Sequence, residues 1–202
     1  MSGIETAAED RTLVERLARG DAVAVEALMA RFSDRVYRVA YGITRNSADA
    51  EETVQDVFLT VLRQIGRFEG RSALGTWIYR IATNTALNKR RGKRREVEVS
   101  LDELLPSFLP DGHRAGERAW VLADWSPRPD EELLGSEGRA ALGRALEALP
   151  EHYRAVIVLH DVEELPNETV ASMLGESLAA VKSRLHRARM VLREELTRAF
   201  HD

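Results

Sequence analysis

Apolar residues recur along the first 95 positions at intervals of three and four, which is the period of an α-helix. The clearest example spans residues 47–65, where one side of a helical wheel collects five apolar side chains: Val54, Val57, Phe58, Val61 and Ile65. Another helix is predicted behind Asp21, and a third within residues 69–91 after a loop that contains glycine. Asp21, and either Asn46 or Ser47, are the expected N-caps. The N-terminal half is therefore predicted to be a small helical bundle.

The C-terminal part predicts four shorter helices. The first two end at Pro150 and before Pro166. The third runs from an Asn167 cap to Gly175, and the fourth is a longer basic helix behind a Ser177 cap. A short helix, a tight turn that contains glycine and a longer basic helix are together the signature of a helix-turn-helix.

Between about residues 95 and 137 the helical periodicity is lost, and four of the six prolines of the chain fall there. Such a stretch predicts a linker. The predicted fold class is all-α, with two small helical domains joined by an acidic, mostly irregular linker. A flexible N-terminus is expected over residues 1–10, the first domain over 11–95, the linker over 96–136 and the helix-turn-helix domain over 137–202.

The charge of the chain is distributed unevenly. Residues 96–138 contain 11 acidic and 3 basic residues, a net charge of −8, which leaves +4 for the rest of a chain whose total is −4. The segment "IATNTALNKRRGKRR", residues 81–95, has six basic residues and no acidic one. Basic ends on either side of an acidic middle favour nucleic acid as a partner.

Other classes of function have little support in the sequence. Cysteine is absent, which excludes disulfides, thiolate metal sites and cysteine nucleophiles. Neither a secretory signal nor an apolar run of about 20 residues is present, so the protein is expected to be soluble, cytoplasmic and without a membrane-inserted segment. A metal-dependent enzyme would have to use "HDVEE", residues 160–164, which lacks the histidine pair of zincins.

The last helix is predicted to be apolar on one side and basic on the other. Leu178, Val181, Leu185, Ala188 and Leu192 repeat at core spacing. Lys182, Ser183, His186 and Arg187 fall roughly opposite, with Arg184 and Arg189 at the margins. This pattern suits insertion into the DNA major groove, and the alternative is a solvated basic face on an ordinary surface helix.

The helix that leads into the basic run also has two distinct sides. One is formed by Ile78, Ile81, Ala82 and Thr85, and the other by Trp77, Arg80, Asn84 and Asn88. An aromatic ring stacks on unpaired bases, amides bond to base edges and the residues from Lys89 to Arg95 neutralise phosphates, so this side predicts binding of melted DNA. The alternative is that Trp77 belongs to the core and both asparagines are solvated.

An acidic face is predicted on the helix over residues 47–65, formed by Asp49, Glu52 and Asp56 with Gln55 beside them. It is either a solvated helix face or a docking surface for a basic partner helix.

Taken together, four segments resemble the extracytoplasmic-function (group IV) sigma factors of the bacterial sigma-70 family. They are "DAEETVQDVFL", "FEGRSALGTWIYRIATNTALNKRR", "LEALPEHYRAVIVLHDVEEL" and "VASMLGESLAAVKSRLHRAR", and they occur in the family's order and spacing. The resemblance covers roughly residues 15–95 and 137–198. It implies that the two domains are sigma regions 2 and 4, and that the protein is a transcription initiation factor and not an enzyme, with no catalytic residue, metal or cofactor.

The resemblance also implies roles for particular residues. Those assigned to recognition and melting of the promoter minus-ten element are Phe68, Arg71, Ser72, Trp77, Arg80, Asn84, Asn88, Lys89, Arg90 and Arg91. Those assigned to the minus-thirty-five element are Lys182, Ser183, Arg184, His186, Arg187 and Arg189. Those assigned to binding core polymerase are Asp49, Glu52, Gln55 and Asp56. The loop from Phe68 to Leu74 would capture a base flipped out of the minus-ten element.

The partners that the resemblance implies are core RNA polymerase, promoter DNA and an anti-sigma factor. Polymerase would be bound through the clamp helices of its largest subunit and through its flap, and the DNA both as duplex and as melted single strand. The chain departs from the family where Thr169-Val170-Ala171 replaces Glu-Ile-Ala and Ala179-Ala180-Val181 replaces Gly-Thr-Val. The family's base preference is therefore not carried over.

A different function remains open from the residues alone, namely a helix-turn-helix regulator that binds operator DNA without polymerase. It accounts for the C-terminal helix but leaves Trp77, Asn84 and the acidic face without a role. Dependence of transcription on core polymerase would separate the two functions.

Overall fold

A computed structural model describes residues 2–93 and 136–201, and within these ranges the chain forms helices and no strand. In the first range α1 spans Ser2–Ala18, α2 Ala22–Thr44, α3 Ser47–Gln64 and α4 Leu74–Lys93, with a 3₁₀ turn at Ile65–Arg67 after α3. In the second, α5 spans Ser136–Ala148, α6 Glu151–Ile157, α7 Asn167–Leu174 and α8 Leu178–His201, with a π-helical turn at Val158–Val162 after α6. The all-α prediction is confirmed for these residues.

Three of the predicted helix caps are confirmed. The Asp21 carboxylate accepts a hydrogen bond from the Val23 N–H at 2.9 Å. The Asn46 side chain accepts one from the Asp49 N–H at 3.0 Å, and the Ser177 hydroxyl accepts one from the Ala180 N–H at 3.1 Å. Each cap satisfies a backbone donor that has no partner inside its own helix.

Asn167 is not a cap, which corrects the prediction made for α7. The helix begins one residue earlier than expected, so that Pro166 occupies the N-cap position and Asn167 is the first helical residue. From there its side chain makes no capping hydrogen bond, and its buried Oδ1 atom has no hydrogen-bond partner among the described residues. The predicted end at Gly175 is correct, because this glycine adopts the left-handed conformation with φ of 69°.

The backbone of the N-terminal stretch is helical from Ser2 onward. The helix is fixed at its C-terminal end by Leu17, which is buried in the core. Asp10 is buried as well, with 6% of its surface exposed. Both contacts are tertiary, which is why the polar local sequence gave no indication of them.

Helices α2, α3 and α4 pack on one another and form the core of the N-terminal half. The apolar face predicted for α3 lies inside this core, with Val57, Phe58, Val61 and Ile65 buried and Val54 partly buried. The main contributions of the other two helices are Leu28, Val36, Val39 and Ile43 from α2 and Leu74, Ile78 and Ala82 from α4.

In the C-terminal half α8 lies across α5, α6 and α7. Its predicted apolar side is confirmed, since Val181, Leu185 and Ala188 are buried while Leu178 and Leu192 are partly buried. This packing leaves the opposite side of α8 facing outward.

The two halves also pack against each other. Helix α6 and the π-helical turn contact α2, and α7 contacts α4. The two halves lie close together at Gly42, where an added Cβ would be 2.7 Å from Val158 Cγ2, so no larger residue fits beside this valine. Glu163, which follows the π-helical turn, is buried and forms ion pairs with Arg35 and Arg38 of α2.

The predicted acidic linker over residues 96–136 lies outside the described residues except for Ser136, the first residue of α5. Among the helices that are described, none is long and apolar enough to cross a membrane.

Candidate nucleic-acid interfaces

One face of α4 carries a line of exposed polar side chains. Arg80, Asn84 and Asn88 are spaced by four residues and all three are exposed. The other faces of the helix are covered, because α2, α3 and α7 each pack against it. The exposed line therefore consists of residues predicted to bind melted DNA, and the fold leaves their side chains accessible.

The loop from Phe68 to Ala73 adjoins this line at the N-terminal end of α4. Its first residue is held by a hydrogen bond from the Phe68 N–H to the carbonyl of Ile65 and by contact of its ring with Trp77, whose ring centroid is 5.3 Å away. Arg71 and Ser72 are exposed in the middle of the loop. The loop is thus anchored on α4 and open to solvent at its centre.

Trp77 lies at the junction of the loop and α4 and is neither fully exposed nor fully buried. It is half-buried and packs on Phe68 against the core. Its position is therefore intermediate between the two alternatives that the sequence allowed, a DNA-facing ring and a core residue. What the structure presents at this place is a pair of contacting aromatic rings at the junction of the loop and α4.

Two residues of the basic run after Asn88 are paired with acidic residues. Lys89 Nζ lies 2.7 Å from Glu52 Oε1 and 3.0 Å from Asp56 Oδ2 of α3. Burial lowers the pKa of Lys89, but hydrogen bonds to these two carboxylates outweigh it and the net effect raises the pKa. Arg90 Nε lies 3.3 Å from Glu151 Oε1 of α6. The side chain of Arg91 lies outside the described part of the chain.

The acidic face of α3 is smaller than predicted. Glu52 and Gln55 are exposed and Asp56 is partly exposed, but only 6% of the surface of Asp49 is exposed. Asp49 is therefore not part of the open acidic surface, because a helical wheel gives the direction of a side chain and not what lies over it. Leu59, which is 50% exposed one turn after Gln55, extends the open surface with an apolar side chain.

On α8 the predicted DNA-facing residues fall into two groups. Lys182, Ser183 and His186 are exposed on the side away from the core, and Arg187 is partly buried. Arg184 and Arg189 at the margins have acidic partners instead.

These two arginines connect α8 to other segments, Arg184 to the turn before the helix and Arg189 to the π-helical turn. Arg184 Nη1 lies 2.6 Å from Glu176 Oε2 in the turn, and its guanidinium lies 5.8 Å from the ring centroid of Tyr153. Arg189 donates two hydrogen bonds to the Asp161 carboxylate, which raise the pKa of the arginine above its ordinary value. Either arginine has to exchange a carboxylate for DNA if it is to contact the promoter.

The acidic segment that a metal-dependent enzyme would use is engaged in structural contacts. His160 Nδ1 lies 2.8 Å from the carbonyl oxygen of Leu165, Asp161 binds Arg189, and Glu163 binds two arginines of α2. Within residues 2–93 and 136–201, no three histidine or acidic side chains form a group able to hold a metal ion.

Sequence reasoning missed two buried charged residues that organise the molecule. Asp10 of α1 bonds to the first residue of α4, and Arg154 of α6 donates to backbone carbonyls in both halves of the chain. For Arg154 a signal was available, because it is the one charged residue next to the apolar run "AVIVL". For Asp10 there was none, since its partner is 64 residues away.

Comparison with known proteins relates both halves to one family. The model of Sigma-70 region 2 matches residues 28–96, and that of Sigma-70 region 4 matches residues 139–192.

Individual relatives cover nearly the whole chain. The chain is 35% identical to the ECF RNA polymerase sigma factor SigE of Mycolicibacterium smegmatis over 90% of its own length, and it spans 66% of the length of that relative. It is 30% identical to the RNA polymerase sigma-H factor of Pseudomonas aeruginosa over 95% of both chains. The fold is that of the sigma factor RpoE of Bartonella quintana, solved in complex with the anti-sigma factor NepR. The TM-score is 0.59 and the identity 24%, with 85% of this chain and 96% of that one covered.

The two family models together match more than half of the chain in the order region 2 and then region 4. The chain is also 32% identical to the ECF RNA polymerase sigma-E factor of Escherichia coli over 89% of its own length and 90% of that relative. The chain belongs to the sigma-70 family, as a member of its extracytoplasmic-function group.

Proposed function

We propose that this protein directs core RNA polymerase to promoters by reading two DNA elements with two separate surfaces. The observation that carries the proposal is that one chain presents an exposed line of Arg80, Asn84 and Asn88 beside an open loop, and an exposed basic face on the helix-turn-helix. A regulator that binds only duplex operator DNA would need only the second surface. The first surface has amides and aromatic rings, which suit unpaired bases.

At the minus-ten element the exposed face of α4 would hold the separated strand. Asn84 and Asn88 offer donors and acceptors for base edges, and Arg80 offers a cation for a phosphate. A base flipped into the loop from Phe68 to Ala73 would lose its stacking, at a cost of a few kcal/mol. Contacts to the strand and to the upstream duplex would offset that cost.

At the minus-thirty-five element α8 would enter the major groove with Lys182, Ser183 and His186 leading. Arg184, Arg187 and Arg189 would join at the edges, in the case of Arg184 and Arg189 by leaving Glu176 and Asp161. The helix is well supported for this role because its opposite side is packed on three helices.

Core polymerase would dock on the open surface of α3, formed by Glu52, Gln55, Asp56 and Leu59. Its acidic and amide groups suit a basic helix such as those of the polymerase clamp, and Leu59 supplies apolar area at the edge. Lys89 lies near the C-terminal end of α4 and binds Glu52 and Asp56. Polymerase that docks on these two carboxylates would therefore also affect the position of Lys89 on α4.

An anti-sigma factor is a further proposed partner, by analogy with the complex of RpoE and NepR. We place the protein in the cytoplasm, where polymerase and promoter DNA are found, and assign it no catalytic group and no cofactor.

Run-off transcription with purified core polymerase across a promoter library tests this function. The proposal expects transcripts that require both the protein and core polymerase, and that require two sequence elements at fixed spacing. Specific duplex binding by the protein alone, with no polymerase-dependent transcript from any promoter, would support the operator-binding regulator instead.

A further inference from the structure

Asp10 is a buried carboxylate that belongs to none of the surfaces proposed to bind DNA or polymerase. The residue is 6% exposed, and a carboxylate is rarely buried without partners that compensate for its lost hydration. Its position on α1 places it next to α2 and to the start of α4.

The two carboxylate oxygens of Asp10 bind different elements. Oδ2 accepts a hydrogen bond from the backbone N–H of Leu74 at 3.0 Å. Oδ1 lies 2.8 Å from Nη1 of Arg31 on α2. One side chain therefore joins α1, α2 and the first residue of α4.

Helix α4 depends on this contact because its own sequence supplies no cap. Ala73, which precedes the helix, has no side-chain acceptor, and the hydroxyl of Ser72 donates to the Ala73 carbonyl and does not turn toward the helix. The carboxylate of Asp10 takes the place of a local cap and satisfies a free N–H at the positive end of the helix dipole.

Leu74 is also the residue where the loop from Phe68 to Ala73 ends. At the other end the loop is held by the Phe68 N–H and by the contact between Phe68 and Trp77. Arg71, Ser72 and Ala73 between these points are exposed. The position of the loop relative to Asn84 and Asn88 is therefore set at Phe68 and at Leu74, whose side chain is buried in the core and whose backbone N–H is bound by Asp10.

We propose that Asp10 is a positioning residue for base selection, which sets the loop from Phe68 to Ala73 against the strand-binding face of α4 without touching DNA itself. This inference rests on the proposed role of that loop in capturing a flipped base. Loss of the anchor leaves the exposed contacts in place but lets the loop shift relative to them. A shifted loop discriminates less well between the correct base and an incorrect one.

The test compares Asp10→Ala with wild type in the full-length protein, assembled with core polymerase. Open-complex formation is measured on a preferred promoter and on variants with one minus-ten base replaced. We expect the ratio of open-complex formation on the preferred promoter to that on the promoter with the replaced base to fall three- to thirtyfold, about the range that corresponds to a lost helix cap. Affinity for core polymerase should stay at the wild-type value.

Asp21→Ala is the matched control. Asp21 is likewise a carboxylate at a helix N-terminus with an arginine partner, since it caps α2 and lies 2.7 Å from Arg16. Its loss should reduce stability without changing the ratio between bases. A purely structural Asp10 would behave in the same way, lowering the active fraction on all promoters equally, and an unchanged ratio in Asp10→Ala would overturn the inference.

Two further variants keep the test decisive. If Asp10→Ala does not fold, Asp10→Asn retains an acceptor for the Leu74 N–H but loses the charge that binds Arg31, and it should lower the ratio by a smaller factor. An unchanged ratio in that variant would equally overturn the inference. Asn84→Ala reports on the proposed function itself. If wild type has no base preference and Asn84→Ala has no effect, the role of the loop fails, whatever Asp10 does.

Discussion

Arg154 Nη1 donates a hydrogen bond to the carbonyl oxygen of Ile43 at 2.7 Å, and this bond crosses from the C-terminal half of the chain to the N-terminal half. The arginine is completely buried. Its other donors reach the carbonyls of Leu146, Glu147 and Leu149 at the end of α5. A single guanidinium thus caps the C-terminal ends of two helices, where a cation is favoured by the helix dipole.

Replacing Arg154 by alanine should destabilise the protein more than any exposed substitution. Four carbonyls would lose their donor in a buried site, and we expect the free energy of unfolding to fall by about 3 kcal/mol or more. Arg154→Lys keeps the charge but not the planar fork of donors, and should give an intermediate loss. Denaturant unfolding followed by circular dichroism measures both.

The control for this prediction is Arg193→Ala on the exposed side of α8, which should change stability by less than about 0.5 kcal/mol. Equal stability of Arg154→Ala and Arg193→Ala would mean that the buried guanidinium does not hold the helix ends.

The packed arrangement of the two halves should be incompatible with promoter binding. A compact chain of this length has a radius of gyration of about 17 Å. The two promoter elements are about 25 base pairs apart, about 85 Å along B-form DNA. The strand-binding face and α8 can reach both elements only if the halves separate.

A disulfide between Gly42→Cys and Val158→Cys tests this separation. An added Cβ at Gly42 would lie 3.4 Å from the Cβ of Val158, close to the spacing of a disulfide, and replacing the valine removes the methyl groups that would otherwise clash. The chain has no cysteine of its own to interfere. Oxidised protein should give no promoter-dependent transcript, and a reductant should restore transcription.

The single Val158→Cys variant, treated with the same oxidant, and the reduced double variant serve as controls and should remain active. Full transcription by the oxidised double variant, with the disulfide verified by mass spectrometry, would disprove the need for separation.

Lys182 on the exposed side of α8 should bind a phosphate of the DNA backbone. Lys182→Gln is expected to weaken binding of the polymerase holoenzyme to all minus-thirty-five sequences alike, and to reduce the slope of log affinity against log salt by about 1. Arg198→Gln is the control on the same helix, because Arg198 is paired with Glu194 and Glu195 near the C-terminus. If Lys182→Gln changes the preferred base and leaves the salt slope unaltered, then Lys182 reads a base edge and not a phosphate.

The parts of the fold that depend on periodicity were predictable from the sequence. Val181, Leu185 and Ala188 are buried and Lys182 and His186 are exposed, because the helical period alone assigns them to opposite sides. The exposed line of Arg80, Asn84 and Asn88 follows from the same rule. The caps at Asp21, Asn46 and Ser177 follow from the local sequence, whereas the cap predicted at Asn167 is wrong because its helix begins one residue early.

The parts that depend on distant partners were not predictable in the same way. Glu163 binds Arg35 across 128 residues, and Asp10 binds Leu74 across 64. Asp49 shares a helical face with Glu52 but is covered, and Trp77 is half-buried because Phe68 folds onto it. In each case the deciding contact is tertiary, whereas a helical wheel describes one helix alone.

Asn84 and Asn88 are the residues proposed to separate the strands of the promoter. In an Asn84→Ala, Asn88→Ala double variant, open-complex formation measured by permanganate reactivity of unpaired thymines should fall about tenfold or more, while affinity for core polymerase stays unchanged. Gln64→Ala, which removes an exposed amide at the end of α3, should leave both quantities at the wild-type level. Wild-type open-complex formation by the double variant would contradict the central claim.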